Sequence, residues 1–96
     1  MPARLAEIEA FGRDTFLFAE TGRPGTATLR FAHSAENERR LAEIVAAESK
    51  CCAFMTFAQT RDGDTQVLRL DTPEGGESML RALAAALSGY SLVVAR

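Results

Sequence analysis

Apolar residues recur at helical spacing at the start of the chain, at Leu5, Ile8 and Phe11, behind a proline at position 2 that a first helical turn tolerates. Gly12 then reads as a stop, which predicts a short amphipathic helix over residues 2–11. Ile8 and Ala10 also alternate with glutamates, so a strand is the rival reading of this segment. After Asp14 the period changes to two. Phe16 and Phe18 alternate first, then Ala27, Leu29 and Phe31, and Thr21-Gly22-Arg23-Pro24-Gly25 between them is dense in turn formers. The pattern predicts a hairpin of residues 14–20 and 26–32.

Ser34 is a fitting N-cap, with Glu36 and Glu38 well placed in a first turn, so a helix is expected from 35 to about 51. A second hairpin, 53–60 with 65–71, follows around Asp62-Gly63-Asp64. Pro73 and Gly75-Gly76 break the chain and Glu77 opens a last helix, whose stripe is Met79, Leu80, Leu83 and Leu87 and whose stop is Gly89. The tail Leu92-Val93-Val94 reads as one more short strand or as an apolar contact for a partner. The order α-β-β-α-β-β-α predicts an α+β, two-layer domain: an antiparallel-rich sheet of about four strands, two hairpins, with helices on one face. Thr26, Thr28, Arg30 and Arg69 then fall on the other face, solvated or covered by a second subunit.

Composition narrows the picture. Ninety-six residues make a single domain, and 17 of its apolar residues are alanine, leaving 28 larger ones for a core. So thin a core makes a homodimer the expected state. A net charge of −2 provides no broad basic field, so neither nucleic acid nor an anionic membrane is an expected partner. No stretch approaches the roughly 18 apolar residues of a membrane span. Residues 1–11 carry Glu7 and Glu9 and lack a signal-peptide run, which makes the cytoplasm the expected compartment. Ten of the eleven basic residues are arginine, so local clamps for carboxylate or phosphate stay open.

Only Glu48-Ser49-Lys50-Cys51-Cys52-Ala53-Phe54 carries evident chemistry. On a wheel of about 100° per residue with Leu41 at zero, Ile44 lies near about −60°, Val45 near about +40°, Cys52 near about +20° and Glu48 near about −20°. Cys51 falls on the flank of this stripe. A carboxylate is thereby aimed at the core beside Cys52, where it is costly unless paired, hydrogen-bonded or neutralised. Three arrangements meet that need: a pair with Arg13 at the first helix–hairpin junction, ligation of a metal beside the thiols, or a proton acceptor that tunes Cys52. The cysteines can equally be small core residues, and the CxxC or histidine spacing usual for zinc is absent. Thiolates favour soft ions, so zinc, copper(I) and mercury(II) are the candidate cofactors, with Met55 as a further soft donor. His33, the sole imidazole, lies about 27 Å along the helix at 1.5 Å per residue, too far for joint ligation in one chain. No GxSxG elbow, phosphate-binding glycine loop or HExxH helix is present, and an enzyme would need a pocket and a second acid–base group beside Cys51. Phe54 and Phe57 are expected in the sheet core.

The run Glu48-x-x-Cys51-Cys52-Ala53-Phe54-x-x-Phe57 resembles a family of small bacterial proteins with an E-x-x-C-C-x-F-x-x-F signature. The opening from Ile8 to Asp14 is similar to that family's leading segment, a short helix ending in an Asn-Arg-Asp-like corner, although Gly12 departs from it. The likeness runs from about residue 5 to 87. It implies a cytoplasmic bacterial domain and singles out Arg13, Glu48, Cys51 and Cys52, without implying an activity. The leading expectation is a small binding protein in which Cys51, Cys52 and Glu48 capture a soft metal ion or thiol-reactive ligand. Its rival is a non-catalytic dimeric structural or interaction domain, with the motif as core packing.

Overall fold

The computed structural model describes residues 5–21 and 23–89. Its order is α1 (Leu5–Thr15), β1 (Phe16–Thr21), β2 (Thr26–Ala32), α2 (Ala35–Cys51), β3 (Thr56–Asp62), β4 (Thr65–Asp71) and α3 (Glu77–Leu87). The α+β class and the α-β-β-α-β-β-α order are those expected from the hydrophobic pattern. The four strands form one antiparallel sheet in the order β1-β2-β4-β3. The two hairpins therefore join through β2 and β4, which become the central strands. The proposed strand at residues 92–94 lies outside the described residues.

Strand alternation sorts the side chains by face. Ala27, Leu29 and Phe31 of β2 and Leu68 and Leu70 of β4 are buried in one core with Ile8, Phe11, Leu41, Ile44, Leu80, Leu83 and Leu87 from the three helices. Phe31 is the aromatic hub, with Phe11 at 5.0 Å and Phe16 at 6.0 Å between ring centroids. Such tilted and edge-on contacts suit the ring quadrupoles. The opposite sheet face carries Thr28, Arg30 and Arg69, as expected. On it Arg30 reaches Asp62 at 3.2 Å and Glu20 at 3.6 Å.

Ser34 caps α2 as its sequence position predicts, accepting a hydrogen bond from the Asn37 amide at 3.0 Å. Ser34→Ala should lower stability by about 1 kcal/mol, read as a shifted urea midpoint at constant slope. On the outer sheet face, Asp71 accepts hydrogen bonds from Arg69 Nε at 3.0 Å and Thr26 Oγ1 at 2.9 Å. The Arg69 bond, then the Thr26 bond, hold its carboxyl below the ordinary value. The ionised form therefore stabilises the fold: the contribution is complete above the unfolded value of about 3.9 and is lost as pH falls through the folded one. Urea unfolding at about pH 5 and about pH 2.5 should show a smaller acid loss in Asp71→Asn than in the parent protein.

Several boundaries differ from those expected, and three of the shifts have a structural cause. The first helix does not stop at Gly12 but runs through it to Thr15, because Gly12 is a point of helix–helix approach. A Cβ there would lie 2.5 Å from the Gly89 nitrogen and 2.7 Å from the Leu87 carbonyl carbon. β1 accordingly begins at Phe16 rather than 14, and its pairing shifts at Leu17, where a bulge separates the Phe16–Phe31 and Phe18–Arg30 pairs. β3 begins at Thr56 rather than 53, because the chain first turns, with the Met55 amide donating to the Cys52 carbonyl at 2.9 Å. Phe54 consequently precedes the sheet and is 48% exposed instead of core, whereas Phe57 packs against the core from β3.

Candidate functional site

The structure places Glu48 and Cys52 where the helix wheel does. Leu41, Ile44, Glu48 and Cys52 all face inward, with Glu48 1% and Cys52 6% exposed. α2 ends at Cys51, and Cys52 caps it, its amide donating to the Glu48 carbonyl at 2.7 Å. That bond closes the final turn, so the two side chains stand one turn apart on the buried face. The turn that follows carries Met55, 5% exposed, into the same cluster. A carboxylate, a thiol and a thioether thus belong to the buried end of α2, against the side of the sheet that β3 forms. The Cys51 side chain lies outside the described part of the structure.

Other candidates take separate places. His33 sits before the opposite end of α2, its Nε2 3.2 Å from Glu38 Oε1. The helix separates it from the cysteines, as the sequence distance requires. Arg13 is exposed in the last turn of α1, its stem against Gly89. Among the described residues, no three His, Cys, Asp or Glu side chains come together closely enough to hold a metal ion. No described helix is long and apolar enough to cross a membrane.

Two features escape sequence reasoning. Gln66 is 2% exposed on the inner face of β4, where its Nε2 donates to the Thr60 carbonyl at 3.1 Å. Its alternation with Leu68 and Leu70 was the available signal. The second is a cavity between the first hairpin and α3, which no local pattern announces because its walls are far apart in sequence.

Burial sets the reactivity expected of the thiols. With Cys52 in the core and Cys51 on the flank of the wheel, iodoacetamide should alkylate Cys51 first and Cys52 only slowly or after unfolding. Peptide mapping of partially alkylated native protein reads the order directly, and preferential labelling of Cys52 would contradict it.

Comparison with known proteins adds no relative: no family model, curated protein or solved structure matches the chain.

Proposed function

We propose that the protein is a small binding protein that captures a soft, thiophilic ion, or a thiol-reactive ligand, through Cys51 and Cys52 with help from Glu48. The observation that carries this reading is the burial of Glu48, at 1% exposure, one helical turn from the buried thiol of Cys52. A carboxylate is among the most expensive groups to carry into an apolar core, and leucine would fill this position in a helix at lower cost. Its presence beside a thiol suits a site in which the pair shares a proton or an ion. Zinc, copper(I) and mercury(II) match thiolate and thioether donors better than hard cations do.

The same reading includes membership of the E-x-x-C-C-x-F-x-x-F proteins and a bacterial cytoplasmic setting. It also includes a homodimer, for which the half-exposed Leu17 and Phe18 on edge strand β1 offer apolar surface. A dimer would double the thiols available to one ion.

Titration of the reduced protein with mercury(II) or copper(I) tests the reading. A thiolate-to-metal absorption band in the near ultraviolet should rise and saturate at a fixed ratio, and Cys52→Ser should remove most of it. A band that grows without saturating, or that survives both Cys51→Ser and Cys52→Ser, would overturn the proposal.

A further inference from the structure

Away from the cysteine motif, the start of β2 and one face of α3 enclose a half-open cavity of about 330 Å³. Glu77, Leu80, Arg81 and Ala84 line it from α3, and their spacing puts all four on one side of the helix. Ala27 and Leu80, each 4% exposed, form an apolar floor. Arg23 and Arg81 stand at the rim. The wall that holds Arg23 is fixed by backbone bonds: the Thr26 amide donates to the Arg23 carbonyl at 3.2 Å, and the Thr72 amide to the Gly25 carbonyl at 2.8 Å. Gly25 meets this geometry at φ +89°, a conformation that favours glycine.

The charges at the rim are not used up by the fold. Arg30, Arg39, Arg40 and Arg69 each pair with a carboxylate. Arg23 and Arg81 have no such pair within 4 Å among the described residues. Asp71 feels the charge of Arg23, but its oxygens are bonded by Arg69 and Thr26. Glu77 uses Oε1 to accept the Gly75 amide at 3.0 Å. Two guanidiniums and one carboxylate leave the rim one positive charge in excess, which suits a monoanion better than a dianion.

We propose that this cavity binds a compact amphipathic carboxylate, with its carboxylate between Arg23 and Arg81 and its apolar part over Leu80 and Ala84. The volume lies at the small end of the roughly 300–1,000 Å³ usual for ligand pockets, so the ligand is short. Arginine suits the role because its planar fork matches a carboxylate, and a half-open apolar floor strengthens that pairing relative to bulk water.

Octanoate is the probe, with octanol, octylamine and octyl phosphate as comparators, followed through the backbone amide signals of the labelled protein. Octanoate should saturate, with the largest shifts in residues 23–27 and 77–84. Octanol and octylamine should bind at least about tenfold more weakly, the scale of one charge-assisted contact. Arg23→Ala and Arg81→Ala change exposed side chains, and each should weaken octanoate by about tenfold while leaving the amide spectrum of the free protein folded. Arg81→Gln gives a second variant at that position with the same expected loss. Ala84→Leu, which fills the floor, should weaken octanoate and octanol alike. Equal affinity for octanoate and octanol, unchanged affinity in the arginine variants, or shifts centred elsewhere would overturn the site. Tighter binding of octyl phosphate than of octanoate would reject the carboxylate as its ligand class.

Discussion

Gly12→Ala should destabilise the protein by about 3 kcal/mol, although helix propensity by itself predicts a gain of about 1 kcal/mol. The two effects have opposite signs, and geometry decides between them. In an exposed helix the extra methyl would reduce the freedom of the unfolded chain and help. Here Gly12 is buried within α1, and its missing side chain lets the backbone of α3 approach, with the Gly89 nitrogen 2.5 Å from where a Cβ would stand. Backbone atoms cannot swing aside as a lysine tip can, so the two helices must separate. The contact is reciprocal: a Cβ on Gly89 would lie 2.9 Å from both Arg13 N and Arg13 Cγ, and Gly89 holds φ +87°. At about 4–8 °C per kcal/mol for a domain of this size, the melting temperature should fall by roughly 12–24 °C. A calorimetric scan of Gly12→Ala checks this, and a higher melting temperature than the parent's would contradict the helix–helix approach.

Replacement of Glu48 should weaken soft-ion binding in a protein that still folds. Glu48→Leu retains the approximate volume but removes the contacts of a buried carboxyl, so stability should fall by about 1–3 kcal/mol. Affinity for a soft ion should fall by about 10–100-fold, the range for losing a ligand's close supporting group. In the rival reading Glu48 serves a structural pair and the cysteines serve packing, so the variant would lose stability while its affinity for soft ions stays that of the parent protein. Parallel urea unfolding and mercury(II) titration of the folded Glu48→Leu variant distinguish the two readings, because only the binding account predicts a fall in affinity.

How much of this was legible in the sequence depends on how local each signal is. α2 is the clearest case: it is 17 residues long with one buried face, so the wheel correctly placed Glu48 and Cys52 with Leu41 and Ile44. Hydrophobic period and turn chemistry likewise located both hairpins and the opening of α3 at Glu77. Gly12 was ambiguous because a glycine that ends a helix and one that admits a neighbouring backbone look alike. The difference lies in Leu87 and Gly89, at the other end of the described chain. Phe54 was misplaced because apolar character alone does not reveal the turn between Cys52 and Met55 that delays β3. The pairing of β2 with β4 and the cavity between Arg23 and Arg81 depend on contacts between distant segments, to which a periodicity argument is blind. The candidate site was legible as a motif and as a buried face. Its chemistry was open, because a thiol and a carboxyl on one face serve packing, proton sharing and ion capture equally well until a ligand is offered.

Native mass spectrometry of freshly purified, reduced protein, offered zinc, copper(I) or mercury(II) in turn, addresses the central claim most directly. Soft-ion capture at Cys51, Cys52 and Glu48 predicts at least one of these ions retained at a fixed stoichiometry, one per chain or one per pair of chains, and lost in both Cys51→Ser and Cys52→Ser. Weak, sub-stoichiometric adducts that are the same in the parent protein and in both serine variants would contradict it.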